Sequence, residues 1–240
     1  MWRESIVSRD RTYHEVLGEP LYATRFDEVL SFHEPGLAPV RKEDEWFFIR
    51  DDGTPAFSES FERAFGFYEG LATVQVRSEM FHIHTDGSPA YRARFSWCGN
   101  FQEGRCAVQN HSGLYFHITY RGIPAYSERY AYVGDYREGA AVVFGANGTA
   151  WHVNLQGQEL NGVRFQDLGS FHKGFAPARD AVGWFHVDRE GKALYTVRHS
   201  TVEPFYNGLA RVVGLDGAIL LIRENGDIVH VVRPGRSGGW

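Results

Sequence analysis

The stretch Phe67-Tyr68-Glu69-Gly70-Leu71-Ala72-Thr73-Val74 decides how this chain folds, because it returns along the sequence at a nearly constant spacing. Its glycine recurs at intervals of 34, 34, 35, 35 and 34 residues, at these positions: Gly36, Gly70, Gly104, Gly139, Gly174 and Gly208. A fixed period of this size is typical of repeat proteins, in which one small unit is copied and stacked. The sequence therefore predicts a repeat architecture of six units.

Each unit is predicted to contain three short β-strands. The first follows the organising glycine, and its small residues alternate with variable ones, as at Ala72 and Val74, which indicates one crowded face. The second is aromatic and β-branched, as in 184–187, and ends at a turn glycine such as Gly191. The third follows that turn. A connector with paired aromatic residues then leads to the next unit and has room for a fourth short strand.

The boundaries of the repeat region follow from the turn glycine, which occurs once more often than the organising glycine: Gly18, Gly53, Gly87, Gly122, Gly157, Gly191 and Gly226. Residues 1–17 are therefore interpreted as a lead-in, 18–233 as a single domain and 234–240 as a tail. We expect an all-β fold, a β-propeller-like ring of six repeats with three to four short antiparallel strands each. In this ring the extra N-terminal strand would complete the last sheet. An open β-solenoid of hairpin repeats is the alternative.

Composition excludes several classes of protein. The chain has 25 Lys and Arg against 30 Asp and Glu, a net charge of −5, which argues against nucleic-acid and anionic-membrane partners. It contains no apolar run long enough for a membrane span and no apolar signal core at its start. Two cysteines make no disulfide framework. These features predict a cytoplasmic protein whose partner is another protein or a small-molecule ligand.

The unit resembles the WG β-repeat found in many bacterial proteins. The resemblance rests on Phe67, 69–72 and Val74, and on Trp46, 48–49 and Gly53, and it extends over about residues 18–233. The chain departs from the family pattern after the tryptophan, where a large residue such as Phe47 replaces glycine. The resemblance implies a β-repeat module that acts in binding or as a scaffold, and it carries over no catalytic residues.

A histidine recurs in the second strand and is the first candidate site, at His82, His117, His152 and His186. Four imidazoles from successive repeats could bind Fe or Zn, and His84, two residues along the same strand face, could add a fifth ligand. The alternative is structural: a buried histidine hydrogen-bonded to the backbone of the next repeat. Metal–nitrogen bonds of about 2 Å require the rings to converge almost on a point, which favours the structural interpretation.

An arginine at the end of the third strand is the second candidate site, at Arg94, Arg129, Arg164 and Arg198. A ring of guanidinium groups could hold an anion such as a phosphate or a carboxylate through forked hydrogen bonds, and together with tyrosine rings it could bind a glycan. The structural alternative pairs each arginine with a recurring acid and packs its stem on aromatic rings. The acids nearest the organising glycine are the expected partners: Glu34, Glu69, Glu103 and Glu138.

No catalytic signature is present, and Cys106 occupies a small-residue position of the first strand, which favours a core residue over a nucleophile. The first hypothesis is therefore a non-catalytic binding or scaffold module that presents a ligand or protein site at one end of a β-propeller. The second is a metal-dependent enzyme that uses the four histidines. The third is a glycan- or anion-binding propeller that uses the arginines.

Overall fold

The computed structural model describes residues 1–235, which fold as short β-strands joined by tight turns. In this range the single helical element is a 3-10 turn at Trp2–Glu4. The all-β prediction is therefore confirmed. Most of the tail predicted at 234–240 lies outside the described residues. The chain forms two compact units, Met1–Ala125 and Tyr126–Trp240.

The first unit contains four three-stranded antiparallel sheets, in the orders β1-β2-β3, β4-β5-β6, β7-β8-β9 and β10-β11-β12. Their strands are β1 (Ile6–Val7), β2 (His14–Val16), β3 (Glu19–Pro20), β4 (Glu28–Val29), β5 (Ala38–Lys42), β6 (Glu45–Ile49), β7 (Arg63–Tyr68), β8 (Leu71–Val76), β9 (Glu79–Ile83), β10 (Trp97–Gln102), β11 (Arg105–Gln109) and β12 (Tyr115–Ile118).

The second unit contains one three-stranded sheet, β13-β14-β15, and one seven-stranded sheet that runs in sequence order from β16 to β22. Their strands are β13 (Tyr132–Val133), β14 (Ala140–Phe144), β15 (Ala150–Asn154), β16 (Asp167–Leu168), β17 (Ala176–Arg179), β18 (Trp184–Val187), β19 (His199–Val202), β20 (Leu209–Gly214), β21 (Ile219–Arg223) and β22 (Ile228–Arg233). Every sheet of the described residues is open, so closure into a ring stays a prediction.

The strand order within a repeat differs from the one expected. The connector forms a strand that pairs antiparallel with the first strand, as β7 does with β8, and the first strand then pairs with the second, as β8 does with β9. The expected third strand is reduced to a single bridge in the inner repeats, such as Ile83 with Pro89. The bridge is single with proline at this position and also without it, as at Glu159 and Ala193. The segment is a poor strand because its residues are largely small or polar.

The N-terminal residues predicted as a lead-in contain regular structure. Residues 1–17 contain the 3-10 turn, β1 and β2, and β3 pairs with β2 inside the first unit. The last hairpin has a third strand of its own, β22, which pairs with β21. The expectation that the N-terminal strand completes the last sheet is therefore wrong.

The core lies between the sheets and is built from the same positions in each repeat. Ala72 and Val74 of β8 have no exposed surface, nor do Ala176 and Ala178 of β17. Small side chains at these positions let aromatic residues pack against the first strand, for example Phe67 in the first unit. The first strand thus has the crowded face that the sequence predicted, because its small side chains are packed in the core.

Candidate functional site

The four predicted histidines lie at equivalent positions of β9, β12, β15 and β18, and all four are buried: His82, His117, His152 and His186. His84 does not share the face of His82 as expected. It follows the end of β9, where its backbone forms the turn with Gly87 and Ser88, and it is exposed. The pattern therefore identifies buried histidines correctly but misplaces the proposed fifth ligand.

In His82 and His186, both ring nitrogens form hydrogen bonds within the protein. The Tyr195 hydroxyl lies 2.6 Å from Nδ1 of His186, and the Glu203 carbonyl oxygen lies 2.9 Å from Nε2. A carbonyl only accepts, so Nε2 donates to it and Nδ1 accepts from the tyrosine. His82 makes the same two contacts, to the Tyr91 hydroxyl and, at 3.1 Å, to the Gly99 carbonyl oxygen. The second strand is thereby tied to the connector of the next repeat.

Two further histidines show how this arrangement varies. His152 donates from Nε2 to the Gly169 carbonyl oxygen at 3.0 Å and stacks on Phe171 at 4.2 Å between ring centroids. The sequence analysis missed His14, which contacts the Tyr22 hydroxyl at 2.6 Å and the Leu30 carbonyl oxygen at 2.8 Å. His14 could have been found from the order histidine, turn glycine, tyrosine, which it shares with the other repeats. It lies four residues before its turn glycine, whereas His186 lies five residues before Gly191.

Burial controls the charge of these rings. It lowers the pKa of His82, His152 and His186 to about 4, although a hydrogen bond to a backbone carbonyl acts in the opposite direction. The rings are therefore neutral at pH 7. Among residues 1–235, no three His, Cys, Asp or Glu side chains lie close enough together to hold a metal ion. The metal site stays a prediction that this geometry does not support.

The recurring arginines close their own turns. Nη1 of Arg94 donates to the carbonyl oxygens of the three preceding residues at 2.9–3.2 Å, and the guanidinium carbon lies 3.7 Å from the Phe81 ring centroid. Arg198 repeats the pattern over Phe185 at 3.6 Å.

The other two predicted arginines form similar local contacts. Arg129 donates to the Ser127 and Glu128 carbonyl oxygens, both at 2.8 Å. Arg164 lies 4.2 Å from the Trp151 ring centroid and pairs with Glu159. Local packing on aromatic rings thus accounts for the recurrence, and anion binding stays a prediction.

Glu69 and Glu138 contact backbone amides, whereas the sequence predicted a pairing with the recurring arginines. The Glu69 carboxylate accepts from the backbone N–H groups of Glu103 at 2.7 Å and Gly104 at 2.9 Å. Glu138 does the same for Lys173 at 2.5 Å and Gly174 at 2.9 Å. Each glutamate therefore closes the organising turn of the following repeat, and this contact links successive repeats.

A second link between repeats is formed at the turn glycines. A Cβ atom added at Gly226 would come within 2.7 Å of Tyr195, and one at Gly53 would come within 2.8 Å of the Tyr22 ring. Both glycines also have positive φ, at 87° and 80°. The aromatic residue after one turn therefore packs on the turn glycine of the next repeat. Gly18 is different, because an added Cβ there would meet nothing within 4 Å.

The clearest departure from the repeat is strand β22. The inner copies of this segment are largely small or polar, as in 89–94 (Pro-Ala-Tyr-Arg-Ala-Arg), whereas 228–233 reads Ile-Val-His-Val-Val-Arg. Branched aliphatic residues favour an extended strand, and β22 forms one along its whole length. All six residues are exposed, and β22 is the edge of its sheet. This surface cannot be predicted from the recurring residues, because it is a departure from the repeat.

Comparison with known proteins found a matching repeat family and solved structures of similar fold. The family model of the WG containing repeat matches residues 17–46 and 83–115. No curated protein matches the chain. The computationally designed Ika8 protein is similar over 95% of this chain and 82% of its own, with a TM-score of 0.57 and 13% identity.

Other solved structures are less similar. BamB from Moraxella catarrhalis has a TM-score of 0.49 and 12% identity, over 95% of this chain and 74% of its own. The WD40 β-propeller domain of Doa1 has a TM-score of 0.40 and 15% identity, over 89% of this chain and 81% of its own. The predicted class, an all-β fold of repeated small antiparallel sheets, is confirmed. Within residues 1–235, no helix has the length and apolar character needed to cross a membrane.

Proposed function

We propose that this chain, in which residues 17–46 and 83–115 match the WG containing repeat, is a non-catalytic binding module and that strand β22 is the edge to which a protein partner docks. The observation that carries the proposal is the exposure of β22. Its four aliphatic side chains keep about half of their surface in solvent: Ile228 58%, Val229 45%, Val231 50% and Val232 52%. An aliphatic edge strand of this kind is a template for pairing, which proteins normally block.

The recurring polar residues support a binding role over a catalytic one. His186, Glu138 and Arg198 each form hydrogen bonds to backbone groups, either within their own turn or in the next repeat. These contacts hold the repeats together and explain why the residues recur. Function is then expected where the repeats differ, and the branched aliphatic residues of β22 are the largest such difference.

The chemistry of β22 defines the partner. An edge strand offers backbone N–H and C=O groups to an added strand, while its side chains select what packs beside it. On β22 those side chains are aliphatic, apart from His230 and Arg233. The partner is therefore a protein that presents a strand edge together with exposed aliphatic side chains.

A synthetic strand tests this function directly. A fluorescein-labelled peptide of alternating valine and threonine is titrated with the protein, and its fluorescence anisotropy is followed. Wild type is expected to give saturable binding. The double variant V229K/V231K is expected to weaken binding at least tenfold, because two charges then face the added strand. Val182, 64% exposed in a turn, supplies the matched control V182K, which is expected to bind like wild type. Absence of saturable binding, or equal binding by V229K/V231K, contradicts the proposal.

A further inference from the structure

We infer that the protein partner of β22 is a second copy of this chain, whose N-terminal sheet docks on β22 in a head-to-tail contact. The inference rests on the proposed function and names the occupant of the same edge. It starts from the rule that joins successive repeats, in which an aromatic side chain of one repeat packs on the turn glycine of the next.

Inside each unit the rule is met repeatedly. If a Cβ atom were added to the turn glycine, it would contact the aromatic side chain of the preceding repeat in these pairs: Gly53 with Tyr22, Gly87 with Phe57, Gly122 with Tyr91, Gly157 with Tyr126 and Gly226 with Tyr195. Gly191 meets the side chains of Val163 and Asn161 instead. Each turn glycine after the first is therefore covered by the repeat before it.

The first turn of the chain has the same shape and lacks this cover. Gly18 has φ of +84° like the other turn glycines, yet nothing lies within 4 Å of its would-be Cβ. Leu17 beside it is 99% exposed and Ile6 of the same sheet is 62% exposed. Two apolar side chains and an open turn thus form an uncovered surface on the N-terminal sheet, which we call the head.

Strand β22 supplies the matching surface, which we call the tail. His230 stands four residues after Gly226, the position that holds the packing aromatic residue in most inner repeats, and it is exposed. Aliphatic residues flank it on both sides, at Val229 and Val231. The tail therefore presents what the head lacks: a ring to cover Gly18 and apolar surface for Leu17.

The charges at the two surfaces favour this pairing over self-association of β22. Glu15 and Glu19 lie on either side of the open turn of the head, and Arg233 and His230 lie on the tail. An antiparallel β22–β22 dimer would leave the acidic residues and the open turn of the head uncovered, and it would give Arg233 no acidic partner, because Arg233 would then face Ile228. A contact between two different surfaces can repeat from copy to copy, because every copy keeps one free head and one free tail.

Complementary variants test the inference. L17K blocks the head and V231K blocks the tail, and both change exposed side chains. By light scattering after size exclusion, the wild-type mass is expected to rise above 27.3 kDa with concentration, while each variant alone stays a monomer. An equimolar mixture of L17K and V231K is expected to form a dimer and no larger species, because one intact head then meets one intact tail. The control V182K is expected to associate like wild type.

Other outcomes overturn the inference without ambiguity. A β22–β22 dimer predicts that L17K associates like wild type. A wild-type protein that stays monomeric at all concentrations also rules out the head-to-tail contact. If that monomer still binds the valine–threonine peptide, the proposed docking edge stands and only the identity of its partner is wrong. If neither association nor peptide binding occurs, both proposals fail. Circular dichroism and thermal melting confirm that each variant is folded.

Discussion

The hydroxyl of Tyr195 lies 2.6 Å from Nδ1 of His186, and this pair shows what the recurring histidine does. The same contact joins His14 to Tyr22 at 2.6 Å. In the repeat where Phe48 replaces the histidine, Phe57 replaces the tyrosine, and the two rings pack with centroids 5.5 Å apart. Equivalent positions of the repeats thus hold either a hydrogen-bonded histidine–tyrosine pair or an apolar phenylalanine pair.

Removal of the tyrosine hydroxyl is expected to destabilise the fold. Tyr195→Phe leaves Nδ1 of His186 buried without its donor, which costs about 1–3 kcal/mol of unfolding free energy. Urea denaturation followed by tryptophan fluorescence measures the change. Tyr206→Phe is the matched control, because Tyr206 is 61% exposed, and it is expected to stay within about 0.5 kcal/mol of wild type. Equal effects of the two variants would show that the hydroxyl contact contributes nothing.

Acid is expected to destabilise the fold between pH 6.5 and 4. Burial lowers the pKa of His82, His152 and His186 from 6.5 to about 4. Between pH 6.5 and 4 these histidines are therefore protonated in the unfolded chain but neutral in the folded chain. Stability from these groups is full above pH 6.5 and is lost as the pH falls, by about 1.4 kcal/mol for each unit of pKa difference at each site. Denaturation midpoints measured from pH 7.5 to 4.5 test this slope.

The apolar pair already present in the chain offers a way to reduce that slope. Pro177 pairs with His186 across the strands as Pro39 pairs with Phe48, so H186F/Y195F copies a pair that the fold accommodates elsewhere. We expect this double variant to remain folded and to lose less stability than wild type between pH 6.5 and 4.5. An unchanged pH slope would mean that His186 does not contribute to acid sensitivity.

Loss of the glutamate contact is expected to loosen one turn. Glu138→Ala removes the acceptor of the Lys173 and Gly174 amides, at a cost of about 0.5–1.5 kcal/mol, because the two contacts are exposed and water can replace the carboxylate. Hydrogen exchange should show faster exchange at these two amides. Glu190→Ala, another exposed glutamate of the same unit, is the control and should leave them unchanged. Unaltered exchange in Glu138→Ala would refute the contact.

The arginines are expected to act through stability. Arg94→Met keeps much of the side-chain volume but removes the donors to three carbonyl oxygens and the charge over Phe81. We expect a loss of about 2 kcal/mol in unfolding free energy. Arg92→Met, an exposed neighbour, should change it by less than about 0.5 kcal/mol. Wild-type stability in Arg94→Met, together with loss of phosphate binding, would favour the anion-binding hypothesis instead.

Much of the architecture could be predicted from local pattern. The period of the organising glycine identifies equivalent residues, and a strand pattern shows itself in alternation and in turn residues. The buried histidines and the crowded face of β8 follow from the same pattern. The third strand expected in the inner repeats was wrong: this segment forms one bridge, because its residues are largely small or polar, and the connector provides the additional strand.

The sequence by itself determined the repeat, its period and its all-β character, because these depend on the spacing of residues along the chain. Only the tertiary structure decided which groups meet across repeats. Glu69 binds the backbone of Glu103 and Gly104, and His186 binds the carbonyl of Glu203. A backbone partner leaves little mark on residue identity, since every residue except proline offers the same N–H and C=O groups. Packing of one repeat on the next is what selects the partner.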